Sequence, residues 1–187
     1  MGEGRILEPR RVPLIMALLV CAVVPSAMSP AKPISEYEVK AAFLYKFASF
    51  VEWPHQADSE NVCIGVVGQD PFGSILDQIV RGKSINGKPF VIRRFTVGQS
   101  PAECHIVFVG ASERKQMPAI LGRWQGLSVL TVGEIPEFCQ EGGVISFALH
   151  EGRVEFEINI DAAARSQLKI SSKLLGVGRI TRDGGRR

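Results

Sequence analysis

The sequence predicts one α/β domain, a mixed sheet of about six strands with helices on both faces. Three observations carry this. From residue 35 onward, strand-like segments alternate with segments of helical period, and strands separated by helices imply parallel crossovers. The runs CIGVVG, beginning at Cys63, and CHIVFVG, beginning at Cys104, are apolar enough to be strands buried within a sheet. Near the end, residues 144–149 and 153–158 flank His150, Glu151 and Gly152, which reads as an antiparallel hairpin.

Taken in order, residues 37–54 read as the first helix. Ser35 and Glu38 have the spacing of a capping box, Ile34 and Val39 that of a hydrophobic staple, and Pro54 supplies the stop. Tyr37, Val39, Phe43, Leu44, Phe47, Phe50 and Val51 fall on one arc, with Lys40 inside it, its stem along the core and its ammonium reaching for a surface partner. A strand over 62–68 is followed by a turn at 70–73 and a short helix over 74–80. Asn86 and Gly87 mark a tight turn before a strand over 89–95. The third strand covers 104–110, the next helix 112–124 and the fourth strand 127–132. One helical turn over 135–140 is broken by Gly142 and Gly143, and a last helix runs over 161–175 after the hairpin. In the second hairpin strand Val154, Phe156 and Ile158 point inward, leaving Arg153, Glu155, Glu157 and Asn159 in an outward row. That row is solvated by default, or a polar docking surface.

Residues 1–31 read as a signal peptide. Arg5, Arg10 and Arg11 precede an apolar run over 12–24, too short for an ordinary membrane span, and Ser29, Pro30 and Ala31 supply small residues for cleavage. A lipid anchor at Cys21 ranks lower, because Val20 stands where such a signal wants a small residue. The expected domain covers residues 32–178, with a basic flexible tail over 179–187. Cleavage leaves 156 of the 187 residues, enough for one core, and brings the formal charge from +3 to +2. Such a balance offers no basic field for nucleic acid.

Export to an oxidising compartment, which such a segment implies, makes disulfides permissible. Cys63 and Cys104 open two strands of similar length, so a bridge between their like ends is expected, with two buried reduced thiols as the alternative.

Catalytic strings fail on inspection. Gly82-Lys83-Ser84 lacks the glycine of a P-loop, since Asp77 stands in its place, and Gly65, Gly68 and Gly73 do not make a dinucleotide fingerprint. No serine sits in a nucleophile elbow. His55, His105 and His150 share no metal-ligand spacing, and no cofactor is expected. The glutamates of EFE, Glu155 and Glu157, are explained by strand alternation without acid–base chemistry.

The aromatic-faced first helix running into Val51-Glu52-Trp53-Pro54, then CIGVVGQDPFG, LTVGE (130–134), Gly142-Gly143 followed by ISF, and RVEFEIN…LKISSKLL (153–175), together resemble the YfiR family of exported regulatory proteins. The resemblance points to the same pair, Cys63 and Cys104. A second bridge found in relatives would join Cys139 to position 146, which here is serine, so Cys139 is expected as a free thiol open to labelling, or else linking two chains, its pKa raised by Glu137 and Glu141. The resemblance implies a non-enzymatic periplasmic repressor of an inner-membrane diguanylate cyclase, acting on that enzyme's periplasmic domain and lowering cyclic-di-GMP and biofilm formation. Membrane contact is expected only through this partner, and a homodimer is expected from the resemblance and from Tyr45 and Trp53 at the edge of the apolar arc. Glu155, Glu157 and Trp53 are the expected partner-binding residues. The alternative is an exported module that binds a nucleotide or anion and serves another membrane sensor or transporter.

Overall fold

The computed structural model describes residues 1, 35–54 and 59–183. The expected signal peptide, Ile34 of the staple, His55 and the last four residues of the tail lie outside the described residues.

Helix α1 (Glu36–Phe47) begins as its sequence requires. The Ser35 hydroxyl accepts from the Glu38 N–H, and the Glu38 carboxylate accepts from the Ser35 N–H. It ends seven residues before Pro54, because the chain turns at Ala48 and enters strand β1 (Val51–Glu52). The remaining elements are β2 (Val62–Val67), α2 (Ser74–Val80), β3 (Ser84–Ile85), β4 (Lys88–Phe95), β5 (Ile106–Val109), α3 (Met117–Arg123), β6 (Leu130–Gly133), β7 (Ile145–His150), β8 (Arg153–Asn159), α4 (Ile160–Arg165), β9 (Lys169–Ile170), α5 (Ser172–Leu175) and β10 (Arg179–Thr181).

Eight strands form the main sheet in the order β10-β8-β7-β6-β5-β2-β4-β3, rather than about six. The run β4-β2-β5-β6-β7 is parallel, β3 and the β7–β8 hairpin add antiparallel pairs, and β10 returns parallel to β8. A separate two-stranded ladder joins β1 to β9, with Val51 opposite Ile170. That ladder corrects two expectations at once: it ends the first helix early and splits the expected helix over 161–175 into α4, β9 and α5. The expected helix over 112–124 likewise divides into a 3-10 turn (Ala111–Glu113) and α3, whose start carries Pro118. The segment 135–140 forms turns rather than a helical turn. The basic tail is corrected at its start, since Arg179–Thr181 pairs with residues 157–159 of β8.

Helices flank both faces. On one, Ala41, Leu44 and Phe47 of α1, Leu76 and Val80 of α2 and Ala162 and Ala163 of α4 pack on Ile64, Val66, Ile106 and Phe108. On the other, Met117, Ile120 and Leu121 of α3 join Phe138 against Cys63, Val67, Val107 and Val109. Phe138 is fully buried because Gly133 and Gly143 have no side chains: a Cβ added at either position would overlap its ring. Gly143→Ala is therefore expected to destabilise the domain by about 2 kcal/mol, the cost of overpacking a closed core, read by urea denaturation.

Candidate functional site

Strands β2 and β5 are neighbours in parallel register, and their amino ends carry the Cys63–Cys104 disulfide, Cα atoms 4.5 Å apart. It closes a 41-residue separation around α2, β3 and β4, for which chain entropy gives on the order of 4 kcal/mol. His105 sits beside it. Its Nδ1 accepts the Cys63 N–H at 3.2 Å, which places the ring proton on Nε2, facing Ser59 Oγ at 3.2 Å. Burial, then the charge of Lys88, holds the His105 pKa below its ordinary value of 6.5. The Trp53 indole meets this imidazole edge to face and donates to the His105 carbonyl at 3.0 Å. Trp53 is thus a core residue, 8% exposed, and not the surface anchor expected from the sequence. Tyr45 is half-buried, one edge of its ring packed on Phe90. Trp53 therefore gives no support to a second copy.

Cys139 is a free thiol and fully buried, not open to labelling. Its Sγ lies 3.7 Å from the carbonyls of Val144 and Glu157. Burial first and the Glu157 charge second push its pKa far above the ordinary thiol range, so Glu137 and Glu141 are not the cause. Ser146 stands opposite Glu157 in the β7–β8 register, so the serine at position 146 lies on the strand pair that buries this sulfur.

The outward row of β8 keeps its alternation but not its exposure. Arg153 and Glu155 are exposed. The Glu157 side chain is only 14% exposed, held by Arg179 of β10 at 2.9 Å. Asn159 is fully buried: its Oδ1 caps α4 at Asp161 and Ala162, and its Nδ2 donates to the Cys139 carbonyl and to Asp183. Sequence periodicity missed this because a capping residue turns with the chain at a strand end.

On the opposite face of β8, Phe156 packs edge to face against Phe43 and Phe47 of α1 at 5.3 Å. An open groove of about 470 Å³ runs there, lined by Phe43, Val154, Phe156, Val177 and Arg179. Gly178 lets the chain lie against Phe156, since a Cβ would come within 2.6 Å of that ring. Val177 is 73% exposed, Leu149 56% and Ile180 51%, and apart from Met1 these are the large exposed apolar residues among the described ones. The β7–β8–β10 flank thus has an apolar face and an ionic one carrying Arg153, Glu155 and Arg179.

The carboxyl ends of the parallel strands, where α/β folds commonly bind ligands, are differently furnished. At the strand-order reversal between β2 and β5, Ser112 and Glu113 fill the space over Gly68. Beyond β6 lies a crevice of about 570 Å³ whose wall holds Lys40 between Glu36 and Glu134, the latter at 2.5 Å, with Tyr37 donating to Glu134 at 3.4 Å. Burial opposes the Lys40 charge, but the hydrogen bonds and charges of Glu134 and Glu36 outweigh it and raise its pKa. Lys40, the one buried lysine or arginine among the described residues, is therefore spent on two carboxylates, which leaves the crevice acidic.

Two outcomes follow from these environments. Below pH 6.5 an unfolded His105 takes up a proton that the folded imidazole resists, so stability falls as pH drops from 6.5 through the lower folded value. His105→Asn is expected to flatten that decline in denaturation series between pH 6.5 and the carboxylate range. Cys139 is expected to resist maleimide in the native protein and to react fully in urea, read by mass spectrometry; native labelling at the unfolded rate would contradict its burial.

Comparison with known proteins agrees with this architecture. A crystal structure of a conserved domain protein from Vibrio cholerae O1 biovar El Tor superposes with a TM-score of 0.55 at 13% identity, covering 79% of this chain and 60% of that one. At that identity the likeness is one of fold, and this chain spans about three fifths of that protein's length. The sequence profile of the YfiR/HmsC-like proteins matches residues 37–179, which takes in every element described above from α1 to the start of β10. The chain belongs to the YfiR/HmsC-like family.

Proposed function

We propose that this protein is an exported, non-catalytic regulator that represses an inner-membrane diguanylate cyclase by contact with the cyclase's periplasmic domain, lowering cyclic-di-GMP and biofilm formation. Family membership supports a regulatory role beside a membrane protein. The observation that carries the contact is the β7–β8–β10 flank, a sheet edge with Leu149, Val177 and Ile180 exposed on its apolar side and Arg153, Glu155 and Arg179 on the other. A partner that wraps this edge meets apolar anchors on one side and charges on the other. In this reading residues 1–31 direct export and are removed, and the mature protein works in the periplasm as a dimer. Repression requires that the flank hold the cyclase's inactive state more tightly than its active one.

Glu155 and Val177 are the contact residues of this reading. Glu157 supports them by anchoring β10 through Arg179, and Trp53 drops out because it is buried. A second reading, the binding of a nucleotide or anion, has one place in its favour: a cavity of about 460 Å³ beside the disulfide, lined by Trp53, Asn61, Arg93, His105 and Ser128. There, however, the Arg93 guanidinium is paired with Glu103, so the first reading is preferred.

Deletion is expected to raise cyclic-di-GMP and surface attachment, and the effect is expected to vanish when the cyclase is deleted as well. Val177→Asp and Glu155→Lys change exposed side chains and should leave stability within about 0.5 kcal/mol while releasing repression. The loss of contact free energy at an anchor such as Val177 is about 1–2 kcal/mol, roughly a ten-fold weaker complex. Wild-type cyclic-di-GMP in both variants would reject the flank. Unchanged cyclic-di-GMP on deletion would reject the cyclase as the partner.

A further inference from the structure

The opposite edge of the sheet, where β3 and β4 end it, carries a second surface of different chemistry. Tyr45 of α1 lies edge to face on Phe90 of β4, ring centroids 5.3 Å apart. Two ammonium groups converge on this phenol: Lys83 Nζ lies 4.3 Å from the ring centroid and Lys46 Nζ 5.4 Å. They come from different elements, Lys46 from the last turn of α1 and Lys83 from the loop after α2. Among the described residues, neither ammonium has a carboxylate within ion-pair distance, although like charges gathered on one ring repel. Arg81, also exposed, stands two residues from Lys83. A shallow groove of about 350 Å³ runs between them, lined by Arg81, Lys83, Ser84, Phe90 and Ile92. The carboxylate in this groove, Asp77, is engaged by Arg94 at 2.6 Å.

We propose that this edge docks the protein directly on a bilayer containing anionic lipid, with headgroup phosphates taken between Lys46 and Lys83 and Tyr45 at headgroup level. The arrangement asks for an anion, because the charges are assembled without a paired carboxylate among the described residues. It asks for a membrane surface in particular because the cations sit among half-buried Tyr45, Ile85, Phe90 and Ile92, with Phe90 and Ile92 in the open groove beside Lys83 and Tyr45 packed on Phe90, the mixture of aromatic, aliphatic and snorkelling lysine side chains found at bilayer interfaces. An enclosed phosphate site would instead present converging backbone N–H groups. This edge and the β7–β8–β10 flank bound opposite ends of the sheet, so one can rest on lipid while the other holds a protein. The proposal extends the regulatory reading by placing the protein at the bilayer itself rather than there only through its partner.

The experiment is co-sedimentation of the purified protein, as the cell processes it, with vesicles of phosphatidylcholine alone or with one quarter phosphatidylglycerol. Binding is expected only to the anionic vesicles, weakening with added salt. Lys83→Gln should weaken it about five-fold and the double variant Lys46→Glu/Lys83→Glu on the order of 25-fold or more, from the worth of one basic residue near an anionic surface. Arg153→Glu, on the far flank, should bind as wild type, and circular dichroism of each variant verifies the fold. Equal partition of wild type onto both vesicles, or undiminished binding by Lys83→Gln and the double variant, would overturn the proposal. Displacement by soluble glycerol phosphate at the same phosphate concentration would reassign the site to a free phosphate group and overturn surface docking, and tighter capture by polyglutamate would reassign it to an acidic protein. No cyclase is present in this assay, so its failure leaves the regulatory reading standing, and the failure of that reading leaves the vesicle result standing.

Discussion

The rest of the structure depends on the burial of β2, β5 and β6 along their whole length. A strand buried on both faces commits the chain to covering two surfaces, and parallel pairing commits it to crossovers long enough to do so. Helices α1, α2 and α4 meet the first demand, α3 and the Phe138 segment the second. The cover runs out toward β8 and β10. Burial along β8 rises from its exposed start at Arg153 to its buried end at Asn159, and β10 is mostly exposed. The candidate interface is thus the part of the sheet left over once the central strands have been enclosed.

Much of the fold was legible because those central strands carry the pattern themselves. The strand beginning near Cys63, the helix over 74–80 and the terminal hairpin emerge with bounds close to those read from periodicity. The main failures share one cause. Residues 51–52 read as the end of one helix and 169–170 as the interior of another, yet each finds a partner more than a hundred residues away. Their pairing, extended by the Ser171 N–H donating to the Phe50 carbonyl at 2.9 Å, outweighs local helical preference. Nothing in either segment alone announces the other. The site was legible in a similarly divided way: alternation identified the outward face of β8, while the covering of Glu157 by Arg179 and the capping turn at Asn159 arise from β10 and α4, which periodicity in β8 does not contain.

The family strings acquire physical meaning in the same manner. Gly133 and Gly143 are the two walls of the slot that admits Phe138. Glu134, next in sequence, holds Lys40 and Tyr37 of α1. The strings that open α1 and end β6 thus meet at one buried ion pair, which ties the first helix to the centre of the sheet. Removing Glu134 would leave Lys40 only the half-exposed Glu36 as its counter-charge, and removing Lys40 would leave two carboxylates facing the same crevice.

The seam between β6 and β7 is the thinnest in the sheet's parallel run. Only Val132 with Ile145 and Gly133 with Ser146 are in register there, whereas β7 and β8 match at six positions. The hairpin and β10 therefore constitute a cooperative unit attached by a short ladder and by the packing of Phe147 and Phe156 on α1. Sub-global opening concentrates where few backbone hydrogen bonds must break, so amide exchange in this unit is governed by a free energy below that of global unfolding. A protein gripping the flank pulls on that seam, and its affinity is set jointly by the surface contacts and by the cost of keeping the hairpin closed. A substitution at the seam, far from any partner, would thereby retune binding without altering a single contact residue.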